Sequence, residues 1–140
     1  MFERILVGVD GSEQSLRAVR VAADLARAVQ SKRLRFVVAY DPIPTYLGQP
    51  NLDNIIRARL EEAEGTLKRA LAEVGDVPSE IHTELLEGSP AEAIINLAKT
   101  WDSSLIVMGS RGRSAIADLV LGSTSQKVVS HATCPVLIVR

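Results

Sequence analysis

The sequence predicts an open α/β sheet of five parallel strands in the order 3-2-1-4-5, with helices packed on both faces. Three observations lead to the parallel, doubly wound sheet, for which the order 3-2-1-4-5 is taken. Short apolar runs of strand length alternate with stretches of helical period along the whole chain. Several of those runs are nearly continuous in Val, Ile and Leu, which suits strands buried on both sides. Strands joined through helices form parallel sheets with right-handed crossovers. The 140 residues match one domain, taken here as 1–140. Apolar residues make up 46% of the chain and aromatic ones only 4%, so the core must be aliphatic.

The elements follow in order. Residues 5–9 (ILVGV) form the first apolar run, ended by Asp10-Gly11-Ser12. Ser12 is placed to cap a helix. That helix carries Leu16, Val19, Ala23 and Ala26 on one stripe. Residues 36–40 (FVVAY) form the second strand. Residues 41–50 hold three prolines and a glycine and read as a loop. In the long helix beyond it, Ile56, Leu60, Ala63, Leu67 and Leu71 keep the helical period until Gly75-Asp76 and Pro78. Residues 81–86 alternate and are less apolar, as an edge strand would be. Ser89-Pro90-Ala91-Glu92 signals a helix start: Ser89 as cap, Pro90 in the first turn, Glu92 closing a capping box. Residues 104–108 (SLIVM) form the fourth strand. The stretch 110–121 is glycine-punctuated, residues 123–131 read as a short helix, and residues 135–139 (PVLIV) as the last strand.

Composition excludes several functions. Sixteen Lys and Arg against seventeen Asp and Glu give a net charge of −1, without the basic excess of a bulk nucleic-acid binder. One cysteine rules out an intrachain disulfide and a multi-cysteine zinc site. No apolar run reaches the roughly 18–20 residues that span a membrane, and residues 1–4 show no signal-peptide pattern. A cytoplasmic protein with neither membrane nor nucleic-acid partner is expected.

In doubly wound sheets, ligands bind beyond the carboxyl ends of the strands, where strand order reverses. Strands one and four are neighbours at that point. Strand one ends in Gly8-Val9-Asp10-Gly11-Ser12, and strand four in Gly109-Ser110-Arg111-Gly112, with Gly122-Ser123-Thr124-Ser125 nine residues further on. Glycines let a backbone approach a phosphate closely. Successive N–H groups make an anion-binding concavity, and a helix start at Gly122-Ser123 adds its free N–H groups and dipole. Hydroxyls of Ser123, Thr124 and Ser125 add donors, and Arg111 and Arg113 add positive charge. The spacing Gly-x2-Gly-x9-Gly-Ser is neither a Walker loop nor a dinucleotide fingerprint. The same residues have a plainer reading: Gly109 and Gly112 as a turn, Asp10 as a helix-flanking carboxylate, and Ser123-Thr124-Ser125-Gln126 as a capping box.

Taken together, ILVGVDGSE at 5–13, GSPAEAI at 88–94, IVMGSRG at 106–112, Gly122-Ser123-Thr124 and CPVLIV at 134–139 resemble the universal stress protein family, in its ATP-binding, glycine-motif form. The resemblance covers essentially the whole chain. It implies a fold of the adenine nucleotide alpha hydrolase type and a stress-response or regulatory module that binds ATP; a Mg²⁺ there would be carried by the nucleotide, since Mg²⁺ relies on phosphates plus one or two carboxylates. Gly109, Gly112, Gly122 and Ser123 match the family's phosphate-binding positions, and Arg111, Thr124 and Ser125 neighbouring contacts. Gly8, Val9 and Asp10 match positions lining the adenosine, Ala39 the position whose backbone reads the adenine edge, and Met108 one packed on the nucleoside. The family also dimerises through the last strand, so residues 135–140 are the expected homodimer edge, a pairing that would cover an apolar strand edge.

Two other functions are compatible with the sequence: an interaction module indifferent to nucleotide, and a slow ATPase or adenylyl-transfer enzyme. No Ser-His-Asp or Cys-His set can be assembled, so no catalytic residue is assigned. His82 and His131 stand alone, giving no metal site. His82 is expected to be solvated, Lys32-Arg33 with Arg35 to form a solvated face, Trp101 to pack at a helix end, and Cys134 to be a small core residue.

Overall fold

The computed structural model describes residues 1–44, 46, 48–111 and 121–140. Its elements are β1 (Arg4–Gly8), α1 (Glu13–Val29), β2 (Arg33–Tyr40), α2 (Asn51–Ala72), β3 (Glu80–Glu87), α3 (Pro90–Thr100), β4 (Leu105–Gly109), α4 (Ser123–His131) and β5 (Val136–Val139). The five strands form one sheet in the order β3-β2-β1-β4-β5, all neighbours parallel, as the sequence predicts.

Alternation along the central strand builds two cores. Ile5, Val7 and Val9 point to one face, where Ala18, Val19, Ala22, Ala23 and Ala26 of α1 and Ala63 and Ala70 of α2 cover them. Leu6 points to the other, with Val37, Ile106 and Met108, under Ala91, Ile94, Ile95 and Ala98 of α3 and Val128 of α4. Period-2 strands with both faces covered explain why β1 and β4 lack polar alternation. The alanines of α1 let its backbone lie close to the sheet. Leu16, expected on the buried stripe, is only half-buried; Ser15, Ala18 and Ala22 take that face instead.

Several boundaries and surfaces differ from expectation. β2 starts at Arg33, because the N–H groups of Lys32 and Arg33 both donate to Glu3 O and lead the chain into the ladder. Arg35 is not on a solvated face. Its side chain is 14% exposed, bonds Glu84 Oε1 at 2.6 Å, and lies 4.4 Å from the centroid of the Trp101 ring. His82 is only partly solvated: its side chain is 32% exposed, its Nε2 is 2.9 Å from Glu80 Oε1, and its ring meets Trp101 edge-on. Trp101 ends α3 as expected.

The caps divide in the same way. Ser12 caps α1, its Oγ accepting from Ser15 N–H at 3.1 Å. Ser89 stands at the N-cap of α3, but makes no side-chain cap bond there, and Glu92 reaches Lys127 of α4 at 3.4 Å instead of closing a capping box. Ser123 is not a cap: α4 has Gly122 at its N-cap, and no side chain caps it. Among the described residues no helix is long and apolar enough to cross a membrane.

Candidate functional site

The strand order reverses between β1 and β4, and both strands end on the same side of the sheet. Beyond β1 the chain turns sharply into α1. Ser12 N–H donates to Asp10 Oδ1 at 2.9 Å, an Asx turn that fixes the carboxylate, and Gly11 takes φ +84°. Asp10 N–H reaches Ser15 Oγ at 3.4 Å, and that hydroxyl donates to Ser12 O at 3.0 Å. Asp10 N–H and Ser12 O are therefore both held by the Ser15 hydroxyl in the first turn of α1.

Beyond β4, Ser110 N–H donates to Val139 O at 2.8 Å, which ties this strand end to β5. Gly109 lies against α1. A Cβ there would sit 2.8 Å from Gln14 Cβ and 2.9 Å from the Gln14 carbonyl carbon. At Gly8 a Cβ would meet only side-chain atoms within 3.4 Å, the nearest being the Ile94 Cδ1 tip at 2.7 Å, which can turn aside. Gly109, against the backbone of α1, is thus required by packing, independently of any ligand.

Between these strand ends lies a cleft of about 520 Å³, its open mouth included. Gly8, Val9 and Asp10 line it from β1 and its turn, Ala39 from β2, and Met108, Gly109 and Arg111 from β4 and its continuation. Thr124 and Ser125 line it from the first turn of α4. Residues that sequence reasoning placed there separately therefore share one cavity. Gly122 and Ser123 are outside the lining but directly precede those two, at the start of α4. Gly112 and Arg113 lie outside the described residues.

The lining also contains Ser15, Val37, Pro90 and Ile94. Val37 had a signal: it shares a face with Ala39 two residues on, and pairs with Gly8 in register. Pro90 and Ile94 are one turn apart at the start of α3, which begins just past the carboxyl end of β3. Ser15 had none, because a serine inside a helix reads as polar surface and here is 3% exposed.

Val9, Val37, Ala39, Ile94 and Met108 give the cleft an apolar lining, and Asp10, Ser15, Arg111, Thr124 and Ser125 a polar one. At the polar side the α4 ladder begins with Gln126 N–H donating to Gly122 O at 3.0 Å. The N–H groups of Ser123, Thr124 and Ser125 precede that ladder, at the positive end of the helix dipole. A ligand with an apolar part and an anionic part fits this lining.

The strap after β2 begins at the same end of the sheet. Arg59 of α2 donates through Nη1 to Asp41 O at 2.8 Å and also to Pro42 O, and Ile43 N–H donates to Glu87 Oε1 at 2.9 Å. Gly88 N–H donates to Tyr40 O at 2.8 Å, joining the ends of β2 and β3.

Comparison with known proteins gives a consistent assignment. The model of the Universal stress protein family matches residues 1–140. The "Universal stress protein in QAH/OAS sulfhydrylase 3'region" of Thermus aquaticus is 49% identical over 140 residues, covering all of both chains. The solved structure of universal stress protein UspA from Lactobacillus plantarum is similar at TM-score 0.85 and 28% identity, over 99% of this chain and 98% of that one. A universal stress protein solved in complex with cAMP is similar at TM-score 0.67 and 33% identity, over 97% of this chain and 95% of that one.

Proposed function

The chain belongs to the universal stress protein family, and from that premise we propose that it is an ATP-binding stress-response module. The adenosine occupies the apolar side of the cleft and the phosphates the polar side, against the Gly-x2-Gly-x9-Gly-Ser segment and the start of α4. The observation that carries this reading is the shared cleft: residues from β1, β2, β4 and α4, far apart in sequence, line one cavity at the switch point. The relative bound to cAMP supports the adenine class of ligand.

The cleft residues fit such a ligand by their chemistry. Uncapped N–H groups at a helix start and glycine-rich backbone favour phosphate oxygens. Asp10, oriented by Ser12 N–H, is the carboxylate of the lining. It is the residue to meet a Mg²⁺ arriving with the phosphates, since Mg²⁺ usually takes one or two carboxylates beside phosphate oxygens. A cytoplasmic setting suits a chain whose one cysteine, Cys134, is free. A homodimer through β5 is part of the same proposal. β5 pairs with β4 on one side only, and Leu137 is 37% exposed on that edge strand.

Titration calorimetry with ATP and Mg²⁺ tests the ligand assignment. The wild-type protein is expected to bind, and Gly112→Val to lose at least about tenfold in affinity with its circular dichroism unchanged. The reason is that a side chain at this glycine blocks close phosphate approach. A folded Gly112→Val protein with undiminished ATP affinity would refute the glycine-segment assignment.

A further inference from the structure

The buried hydroxyl of Ser125 has a bonding pattern unlike that of a ligand contact. Ser125 is 2% exposed. Its Oγ donates to Ser110 O at 2.7 Å, with Gly122 O a second acceptor at 3.1 Å. A serine hydroxyl has one proton. Here that proton is directed inward at two carbonyls, so the group has none left to donate to an anion in the cleft.

What those carbonyls do gives the hydroxyl its purpose. The chain leaves β4 at Ser110 and enters α4 at Gly122, and Gly122 N–H donates to Ser110 O at 2.7 Å. Ser110 O therefore accepts twice, from the backbone of the N-cap and from the side chain three residues into the helix. Ser110 is itself fixed to the sheet by its N–H bond to Val139 O at 2.8 Å. Gly122 has no side chain with which to cap α4. The hydroxyl of Ser125 replaces a conventional cap: it binds the first turn to the strand end and leaves the leading N–H groups uncapped. A cap of the usual kind would occupy one of those N–H groups.

We propose that Ser125 is a positioning residue, a clasp that sets the first turn of α4 on the end of β4 so that its N–H groups face the phosphates, and that its hydroxyl does not itself contact them. This role rests on the nucleotide reading above. It separates Ser125 from Thr124, which lines the same cleft from the adjacent position.

The test compares wild type, Ser125→Ala and Ser125→Thr by two readouts. The first is amide hydrogen exchange of nucleotide-free protein, taken at Gly122 relative to Ile106, whose N–H is bonded within the sheet to Pro135 O. The second is calorimetric affinity for ATP and for adenosine. Loss of the clasp is expected to speed exchange at Gly122 about fivefold to tenfold relative to Ile106, as removal of one hydrogen bond does. ATP affinity is expected to fall by about the same factor, adenosine affinity to stay within about twofold, and Ser125→Thr to restore both. A direct phosphate contact would instead weaken ATP without altering exchange in the free protein. A general structural role would speed Gly122 and Ile106 alike and weaken adenosine as well. Either pattern overturns the clasp, and so does equal ATP affinity in wild type and Ser125→Ala, which leaves the nucleotide reading standing. Wild type that binds neither ATP nor adenosine refutes the nucleotide reading and, with it, the purpose of the clasp. If Ser125→Ala does not fold, Ser125→Cys fills the site with a slightly larger group that is only a weak donor, and is read in the same way.

Discussion

Gly109 lines the cleft and is at the same time held to glycine by packing. Its missing side chain is what lets β4 end within van der Waals contact of the first turn of α1. Gly109→Ala is expected to lower stability by about 1–3 kcal/mol, the range for overpacking, because the nearest atoms include α1 backbone that cannot swing aside. Thermal denaturation checks it, and an unchanged melting temperature would show that α1 shifts freely. Loss of ligand binding in that variant is therefore ambiguous, which makes Gly112 the better probe of phosphate approach. The residues of the site were unevenly legible in the sequence. Gly8, Val9, Asp10 and Gly109 could be placed because strand ends and glycine punctuation mark the switch point, whereas Met108 came only with the family resemblance. Val37 was hidden by looking like any core valine, and Ser15 by sitting inside a helix. Thr124 and Ser125 were recognisable as donors by type, but the inward bonding of Ser125 depends on a neighbour fifteen residues back in sequence. No local pattern encodes that. Cys134 is half-buried, and burial pushes its thiol above the usual range, so it is poorly suited to act as a thiolate nucleophile.

Helices and strands were legible where period and punctuation agreed. α4 has the bounds its sequence implies, and β3 is the edge strand its alternation suggests. The start of β2 was not legible, because Arg33 and Arg35 break the apolar run although the ladder includes them. Capping boxes at Ser89 and Ser123 failed for physical reasons. Glu92 is engaged by Lys127, and the α4 cap falls one residue earlier, on a glycine that bonds Ser110. Between elements, Arg20 of α1 meets Glu73 at the end of α2 at 2.8 Å. The hydrogen bond from Arg20, then its charge, holds the Glu73 carboxyl below its ordinary value of 4.5. A lowered folded value means the native state binds the proton less readily than the unfolded chain. The pair therefore stabilises at neutral pH, and its contribution is lost as pH falls through the lowered value. Both groups are solvent-screened, so the effect is small. Glu73→Gln is expected to melt slightly earlier than wild type at pH 7 and at the same temperature once both are below the carboxylate range. A difference that persists in acid would assign the effect to packing of the α1–α2 contact instead.

At the scale of the molecule, the parallel sheet puts two features on adjoining strands: the cleft at the end of β4 and the apolar edge of β5. The β4–β5 ladder joins them, and at the cleft it ends in the bond from Ser110 N–H to Val139 O. β-α alternation made the parallel, doubly wound sheet legible, but it does not by itself fix the strand order, since order 2-1-3-4-5 meets the same rules. The cleft was legible because strand order fixes where ligands bind. If β5 is the dimer edge, Leu137→Asp is expected to shift sedimentation toward monomer, because a charge on an edge strand opposes pairing with a second copy. An unchanged dimer in that folded variant would locate the interface elsewhere. The nucleotide itself is the central claim, and the most direct measurement is to denature the purified protein, with no ligand added, and identify what it releases by chromatography and mass spectrometry. ATP at close to one per chain is the predicted result. A protein that releases no nucleotide and also fails to bind ATP with Mg²⁺ on titration would contradict it, leaving Gly109 as a packing residue and the start of α4 as an ordinary helix end.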